Sequence, residues 1–362
     1  MNVNSQPASS KRKPKTFNNP ERFIEGWYWV IQSLNLEIGE VKPVNLLGRE
    51  LAIYRGKDRR VVTVDAYCPH MGAHLAEGQV EGNELRCLFH HWKFNAQGIC
   101  VDIPCLDESL PMKLKTWPTA EKYGMIWVWT GEYPQQPLPF IPELEHKDCD
   151  VIFGPRLVMN CHPNVVGINA IDAQHFNTVH KLLSEIIFEK DELNQNAIIF
   201  SNTTYSGEDS FLIKLIRPFY KNPVTYSICY WYGTIGIVTL SFDSLYIHVM
   251  FAMRLLEGGK TEAQTIAMTR KRQGIFGWLH NRVILWLTKI VGKDFIKADI
   301  RIFQTIQFDL KTPIKADMSI MQFINHLERQ KPLMWKTWKL ARSQDVEMKE
   351  KREKWRDELS ND

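Results

Sequence analysis

The sequence predicts an α+β fold in two parts, a small all-β domain followed by a larger domain that combines strands with helices. Three observations carry this. Between Gly26 and Thr130 the chain is a series of short apolar, β-branched and aromatic runs broken by Gly- and Asp-containing turns. Prolines 134, 137, 139 and 142 then mark an extended linker. Beyond it a β-rich run, about 198–269, has helical patterns on both sides. At 362 residues, 44% hydrophobic and 11% aromatic, the chain is too long for one small domain and suits two packed ones.

Taken in order, residues 1–20 are polar and basic (Lys11, Arg12, Lys13, Lys15) and read as a disordered tail without a secretory signal. Residues 26–131 form the first domain, with Trp27-Tyr-Trp-Val-Ile31, Leu51-Ala-Ile-Tyr54, Val61-Val-Thr-Val64 and Met125-Ile-Trp-Val-Trp129 as strands. Residues 145–330 form the second, with helices near 167–184, 275–307 and 320–329. The stretch 335–362 alternates Lys, Arg, Asp and Glu and reads as an exposed charged helix. Ile275–Val291 is the most lipid-like stretch, but His280, Asn281, Arg282 and Lys289 interrupt it. It therefore reads as an amphipathic helix that covers the core, with rest on a membrane surface as the second reading.

Two short motifs carry the chemistry of the first domain. Cys68-Pro-His70 and Cys87-Leu-Phe-His90 each place one thiolate and one imidazole at a loop tip. Two such loops facing each other supply the ligands of a [2Fe–2S] cluster of Rieske type: Cys68 and Cys87 on one iron, His70 and His90 on the other. A Cys₂His₂ zinc site uses the same residue types, but zinc-finger spacing pairs Cys with Cys and His with His. Pro69, Gly72 and Gly78 suit tight loops, and Trp92 and Phe94 shield the cluster.

The second constellation is Asn169-Ala-Ile-Asp172-Ala-Gln-His175-Phe-Asn-Thr-Val-His180. Five residues apart on an ideal helix, two histidines diverge by about 140°, so both reach one metal only if the helix bends or ends between them. Taken alone the segment is equally a polar helix with two ordinary histidines. A cluster that passes single electrons needs a destination, however, and two His with one carboxylate form the facial triad of non-haem Fe(II) oxygenases.

These motifs, in this order and separation, resemble those of the Rieske non-haem iron oxygenases, the terminal oxygenase (α) subunits of multi-component systems; the resemblance spans most of 26–310. It implies a helix-grip catalytic domain, a twisted antiparallel sheet with helices enclosing a cavity. It makes His175 and His180 iron ligands and Asp172 the carboxylate that hydrogen-bonds His175 and bridges to the cluster of a neighbouring subunit, hence a homotrimer. The third ligand is a later carboxylate. Asp299 is chosen over Asp294 and Asp309 because the run Phe295-Ile-Lys-Ala-Asp299-Ile-Arg-Ile-Phe-Gln-Thr-Ile-Gln307 resembles the family's late helix, in which an Asp begins a segment ending in Gln, and because Asp299 shares a helical face with Ile296, Ile302, Phe303 and Ile306. A surface acid is the alternative reading of Asp299. Met71 and His91 depart from the common pattern, where Arg and Gly follow the cluster histidines. Met71 resembles the 3-ketosteroid 9α-hydroxylase and cholesterol 7-desaturase branch.

The implied function is oxidation of a hydrophobic small molecule with O₂, by hydroxylation, desaturation or demethylation; a sterol, a terpenoid or an aromatic fits. Tyr226, Tyr230, Trp231, Tyr232, Phe242, Tyr246 and Phe251 suit an apolar cavity and equally an ordinary core. A non-catalytic Rieske electron carrier is the alternative, which the chain's length disfavours. No glycine-rich phosphate loop or dinucleotide fingerprint is present, so NAD(P)H acts through a separate reductase or a ferredoxin. Arg86 and Lys93 near the cluster loops suit an acidic donor or a solvated face. A net charge of +4 and a pI near 8.5 give no nucleic-acid signature. Seven cysteines, two of them assigned to metal, show no disulfide-scaffold spacing, which points to a reducing, cytoplasmic setting.

Overall fold

The computed structural model describes residues 15–107, 111–181, 186–204, 224–242 and 245–333. Most of the N-terminal basic tail and the charged stretch 335–362 lie outside the described residues. The N-terminal region contains β1 (Trp27–Gln32), β2 (Val41–Leu46), β3 (Arg49–Arg55), β4 (Val61–Asp65), β5 (Gln79–Glu81), β6 (Glu84–Arg86), β7 (Lys93–Phe94), β8 (Cys100–Asp102), β9 (Thr116–Trp117), β10 (Thr119–Lys122) and β11 (Met125–Trp129). They form three antiparallel sheets, ordered β1-β11-β10, β2-β3-β4-β9 and β5-β6-β7-β8.

Strand β11 shows how its sequence dictates its place. All five residues of Met125-Ile-Trp-Val-Trp129 are buried, so both faces of the strand must be covered. Alternation assigns Met125, Trp127 and Trp129 to the large core shared with the second region, and Ile126 and Val128 to a core within the first. Its partner β1 divides likewise, with Trp27 and Trp29 on one side and Tyr28 and Val30 on the other. This small sheet is the plate on which the two regions pack. A third core of Leu75, Leu85, Trp92, Phe94, Cys100 and Ile103 lies beneath Cys68 and Cys87.

The second region is built on one seven-stranded antiparallel sheet of β12 (Cys149–Met159), β13 (Glu189–Asn194), β14 (Ala197–Thr204), β15 (Val224–Trp231), β16 (Ile235–Phe242), β17 (Leu245–Leu255) and β18 (Thr261–Arg270), ordered 12-18-17-16-15-14-13. The chain is therefore an α+β protein, with helices α1 (Pro163–Ile168), α2 (Ala173–Thr178), α3 (Gly274–Phe303) and α4 (Met318–Glu328). The short helices and α4 pack on the sheet's inner face. Tyr230 donates to the Gly167 carbonyl at 2.5 Å, Ser319 to that of Ile171 at 2.6 Å, and Phe323 stacks near Tyr230 with ring centres 4.4 Å apart.

One open reading is decided here and one expectation is corrected. Of the two readings open for Tyr230, Trp231 and Tyr232, the structure favours the core: all three are fully buried, with their edges spent on Gly167, Phe140 and Pro137. The first half of helix α3 does not cover the core with its apolar residues, although Phe303 at its end is buried in the large core. It meets β12 and β18 through Asn281, which donates to the Asp150 carboxylate and the Arg270 carbonyl, and through Leu285. Most of its other large apolar side chains face outward.

Candidate metal centres

The two Cys–His loops have nearly identical backbones. In the first, the Cys68 N–H donates to the Ala73 carbonyl and the Gly72 N–H to the Cys68 carbonyl, both at 2.9 Å. In the second, the Cys87 N–H donates to Trp92 at 2.9 Å and the His91 N–H to Cys87 at 3.1 Å. Each loop needs a left-handed residue four positions after its cysteine. Gly72 supplies it at φ 75°, and His91 does so at φ 59° despite its side chain. That is the physical meaning of His91 standing where a Gly is common.

The loops bury their sulfurs and expose their rings. Cys68 and Cys87 are buried, whereas His70 and His90 are exposed at the tip with ring centres 4.7 Å apart. Trp92 stacks on His70 at 4.3 Å and 6° between planes, so it orients the imidazole and walls the site. Burial pushes the Cys68 thiol up to about 11, opposed by N–H groups of His70 and Met71 aimed at the sulfur. Ferric iron converts such a thiol to thiolate outright, and sulfur-directed N–H groups tune a cluster's potential.

The four donors do not converge on a point. One tetrahedral zinc brings its ligands within about 3.8 Å of each other. Among the described residues the sole group of three or more His, Cys, Asp or Glu ligand atoms that close lies elsewhere. Donors spread more widely than that suit a cluster, whose ligands sit on two separate irons. His74 stands aside: its Nδ1 accepts from the Ala76 N–H and its ring packs against Tyr67. Arg86 and Lys93 are paired locally, Arg86 with Glu81 at 3.0 Å and Lys93 with Glu81 and Asp102 at 3.2 and 3.1 Å, which leaves little free charge to attract an acidic donor.

The converging group is His175, His180 and Asp299. The Nε2 atoms of the two histidines are 3.0 Å apart, and each lies 3.1 Å from Asp299 Oδ1. Octahedral bonds of about 2.1 Å place neighbouring ligands about 3.0 Å apart, and tetrahedral ones about 3.4 Å. The edges of the triangle match those of an octahedral face. Asp299 Oδ1 is buried without a well-formed hydrogen bond, an orphan that a cation at the triangle's centre resolves. Burial works to raise the Asp299 carboxyl, but the His175 and His180 contacts outweigh it and hold the group below its ordinary value.

The local fold explains how residues five apart converge. Helix α2 ends at Thr178 and Val179 caps it, so His180 leaves the helix and turns back, followed by Lys181 at φ 53°. Asp299 comes from α3, far downstream, with its side chain 14% exposed. Asp294 and Asp309 lie elsewhere, exposed and paired with Lys297 and Lys311. Phe295, one turn before Asp299, stacks on His180 at 4.5 Å. Asn169 Nδ2 lies 2.9 Å from His175 Nε2, a neighbour that its place in the motif alone did not distinguish.

Asp172 is placed differently from the expectation. Its Oδ1 accepts from the main-chain N–H groups of Gln174 and His175 at 3.0 and 3.1 Å, capping α2. Its hydrogen bonds go to the backbone and not to the His175 ring. The carboxylate thus positions His175 through the start of the helix.

The family model that matches this chain is the Rieske [2Fe–2S] domain, over residues 26–118. This chain carries a Rieske domain. The chain is 37% identical over 174 residues to cholesterol 7-desaturase nvd of Bombyx mori, a match covering 46% of this chain and 38% of that protein. It is 32% identical over 168 residues to the probable 3-ketosteroid-9-alpha-monooxygenase oxygenase component of Rhodococcus rhodochrous, covering 44% and 42%. The chain thus matches less than half the length of these relatives. Among solved structures, Pseudomonas putida CBB5 NdmA with caffeine superposes with a TM-score of 0.63 at 16% identity, covering 85% of this chain and 96% of that one. Dicamba monooxygenase bound to dicamba superposes at 0.59 and 14% identity, covering 86% and 97%. The fold of the whole chain is that of the Rieske oxygenase α subunits, with the Rieske domain first and the large sheet after it.

Proposed function

We propose that this chain is a terminal oxygenase that oxidises a hydrophobic small molecule with O₂. The carrying observation is the octahedral-face triangle of His175, His180 and Asp299 in a chain that also presents a buried-thiol, exposed-imidazole cluster site. A pure electron carrier has no use for the triangle. In this reading Cys68, His70, Cys87 and His90 hold the cluster, and His175, His180 and Asp299 hold one Fe(II). Bound there, that iron would supply O₂ activation beside the substrate, because a facial triad leaves positions open.

The chain's own residues do the rest. Exposed His70 and His90 form the rim through which an electron enters or leaves. Asp172 fixes the start of α2 and with it the aim of His175, and it is the carboxylate proposed to lie on the electron path from the cluster of a neighbouring subunit in a homotrimer. Phe295 stacks on the His180 ring and holds it in place, and Asn169 lies beside the His175 nitrogen that faces the metal. Phe176, Phe188 and Tyr226, with ring centres 5.6–6.5 Å apart beside His180, form an apolar wall for substrate. A sterol or another flat hydrocarbon suits such a wall, and hydroxylation, desaturation and demethylation all begin from this arrangement. Electrons come from NAD(P)H through a separate reductase or ferredoxin.

The test is iron and sulfide analysis with EPR of anaerobically purified, dithionite-reduced protein. About three irons and two sulfides per chain with a Rieske signal are expected from these two sites. Two irons would leave an electron carrier, and zinc without sulfide would overturn the reading.

A further inference from the structure

The first half of helix α3 is amphipathic the wrong way round for a helix lying on a sheet. Its protein-facing side offers polar Asn281 beside Leu285, whereas Ile275, Phe276 and Trp286 are 75%, 86% and 57% exposed, with Trp278, Leu279 and Val283 about half exposed. A contiguous outward stripe of this kind on a folded chain marks a surface that meets something apolar. At 1.5 Å per residue it runs for about 22 Å, from residue 275 to 290. No helix among the described residues is long and apolar enough to cross a membrane.

The charge says what the stripe meets. From Arg270 to Lys293 the chain carries Arg270, Lys271, Arg272, Arg282, Lys289 and Lys293 and not one Asp or Glu. Neighbouring acids are few: Asp148 lies 3.7 Å from Lys271, and Asp150 is engaged by Asn281. At the helix's start a cavity of about 530 Å³ is lined by Lys147, Arg270, Lys271 and Arg272 against the single acid Glu143. His248, fully buried, also lines it and has Nε2 without a partner. A second copy of this chain meeting the stripe about a two-fold axis would set cations against cations, and the heterologous contact of the homotrimer proposed above is the competing occupant that the sedimentation measurement below tests.

We propose that the first half of α3 is an interfacial anchor that lays its Trp- and Phe-rich stripe into an anionic lipid surface, with the basic cavity at its start receiving headgroup phosphates. Aromatic residues beside cations are the composition of helices that lie in the headgroup layer. Each cation near an anionic leaflet strengthens binding about fivefold.

The experiment is flotation of the full-length, cluster-loaded protein with phosphatidylcholine vesicles, with and without phosphatidylserine. Flotation with the anionic vesicles, weakened by salt, is expected. The double variant Trp278→Ser with Trp286→Ser should lose flotation at least about tenfold. Its Rieske EPR signal and sedimentation should stay unchanged, which separates a surface role from misfolding. Arg270→Gln with Arg272→Gln should weaken anionic binding about 25-fold and leave neutral vesicles unaffected. Two outcomes overturn the proposal: failure of the parent protein to float with either vesicle, or a double Trp variant that floats normally but changes oligomeric mass, which would make the stripe a protein–protein interface.

Discussion

The cluster loops and the His175–His180–Asp299 triangle are two ways of assembling a metal site from one chain. Each cluster loop takes a cysteine and a histidine from three or four consecutive residues, held by the same pair of main-chain hydrogen bonds. The triangle joins a helix end at His180 to a position in α3 that lies beyond the whole seven-stranded sheet. Local sites depend on turn geometry, and distributed ones on the packing of the entire region. The two should therefore fail independently.

The most severe break separates them outright. Asp299→Ala removes one corner of the triangle and should lower mononuclear metal affinity more than about 100-fold, taking iron from about three to two per chain and abolishing oxidation. The Rieske EPR signal should survive unchanged. Cys87→Ala should do the reverse, bleaching the cluster while His175, His180 and Asp299 still bind one ion. If either substitution empties both sites, the two are coupled through folding and the separation is wrong.

Asp172 is the carboxylate proposed to link the two sites, and two substitutions split its roles. Asn caps a helix about as well as Asp, so Asp172→Asn should leave stability within about 0.5 kcal/mol of the parent, whereas Asp172→Ala should cost about 1 kcal/mol. If the carboxylate's charge lies on the electron path, both variants should lose turnover about 10- to 100-fold with the cluster signal intact. Normal turnover in Asp172→Asn would reduce Asp172 to a cap. Measuring kcat beside urea unfolding distinguishes the cases.

Acid should act on the distributed site first. His162 caps α1, the helix leading into the triangle, and burial holds its imidazole down to about 3, against an ordinary 6.5. The unfolded chain takes up that proton more readily, so stability is fully present above pH 6.5 and falls as pH drops through that value toward 3. By pH 5 the loss reaches about 2 kcal/mol. His162→Asn, whose side chain can keep the cap to Asn164, should flatten urea midpoints between pH 7 and 5. An unchanged slope would show that His162 is not the group that protonates.

How much of this was legible in the sequence follows the same division. The cluster ligands could be read from spacing because the loops are local, and the strands of the first region follow from alternation in runs such as Met125–Trp129. The triangle was legible only through the family resemblance, since no rule of helical periodicity brings His175 and His180 together. What was missed has physical causes. β13, Glu189-Lys-Asp-Glu-Leu-Asn194, is a polar edge strand with no apolar alternation to announce it. The aromatic run at Tyr230–Tyr232 carries the same β pattern whether it lines a cavity or fills a core, and the tertiary contacts of Gly167, Phe140 and Pro137 decided for the core. The outward face of α3 was left open in the sequence, because the stretch 275–291 suits either a helix covering the core or one resting on a membrane surface. Only the sheet's use of Asn281 as the contact reveals which side faces the protein.

The smallest effect sharpens the comparison within the local site itself. Both cluster loops place the fourth residue after cysteine at positive φ, but only the first uses glycine there, Gly72 at 75° against His91 at 59°. A side chain in the left-handed region costs about 1 kcal/mol. His91→Gly should recover part of that cost, raising the thermal midpoint of the Rieske region slightly, whereas Gly72→Ala should lower it by a similar amount. His91 is exposed, so little packing is lost to offset the gain. Because the Cys87–Trp92 and His91–Cys87 hydrogen bonds persist with glycine, the EPR signal should not shift. A destabilised His91→Gly would show that the imidazole makes a compensating contact, and that the near-symmetry of the two loops stops at the main chain.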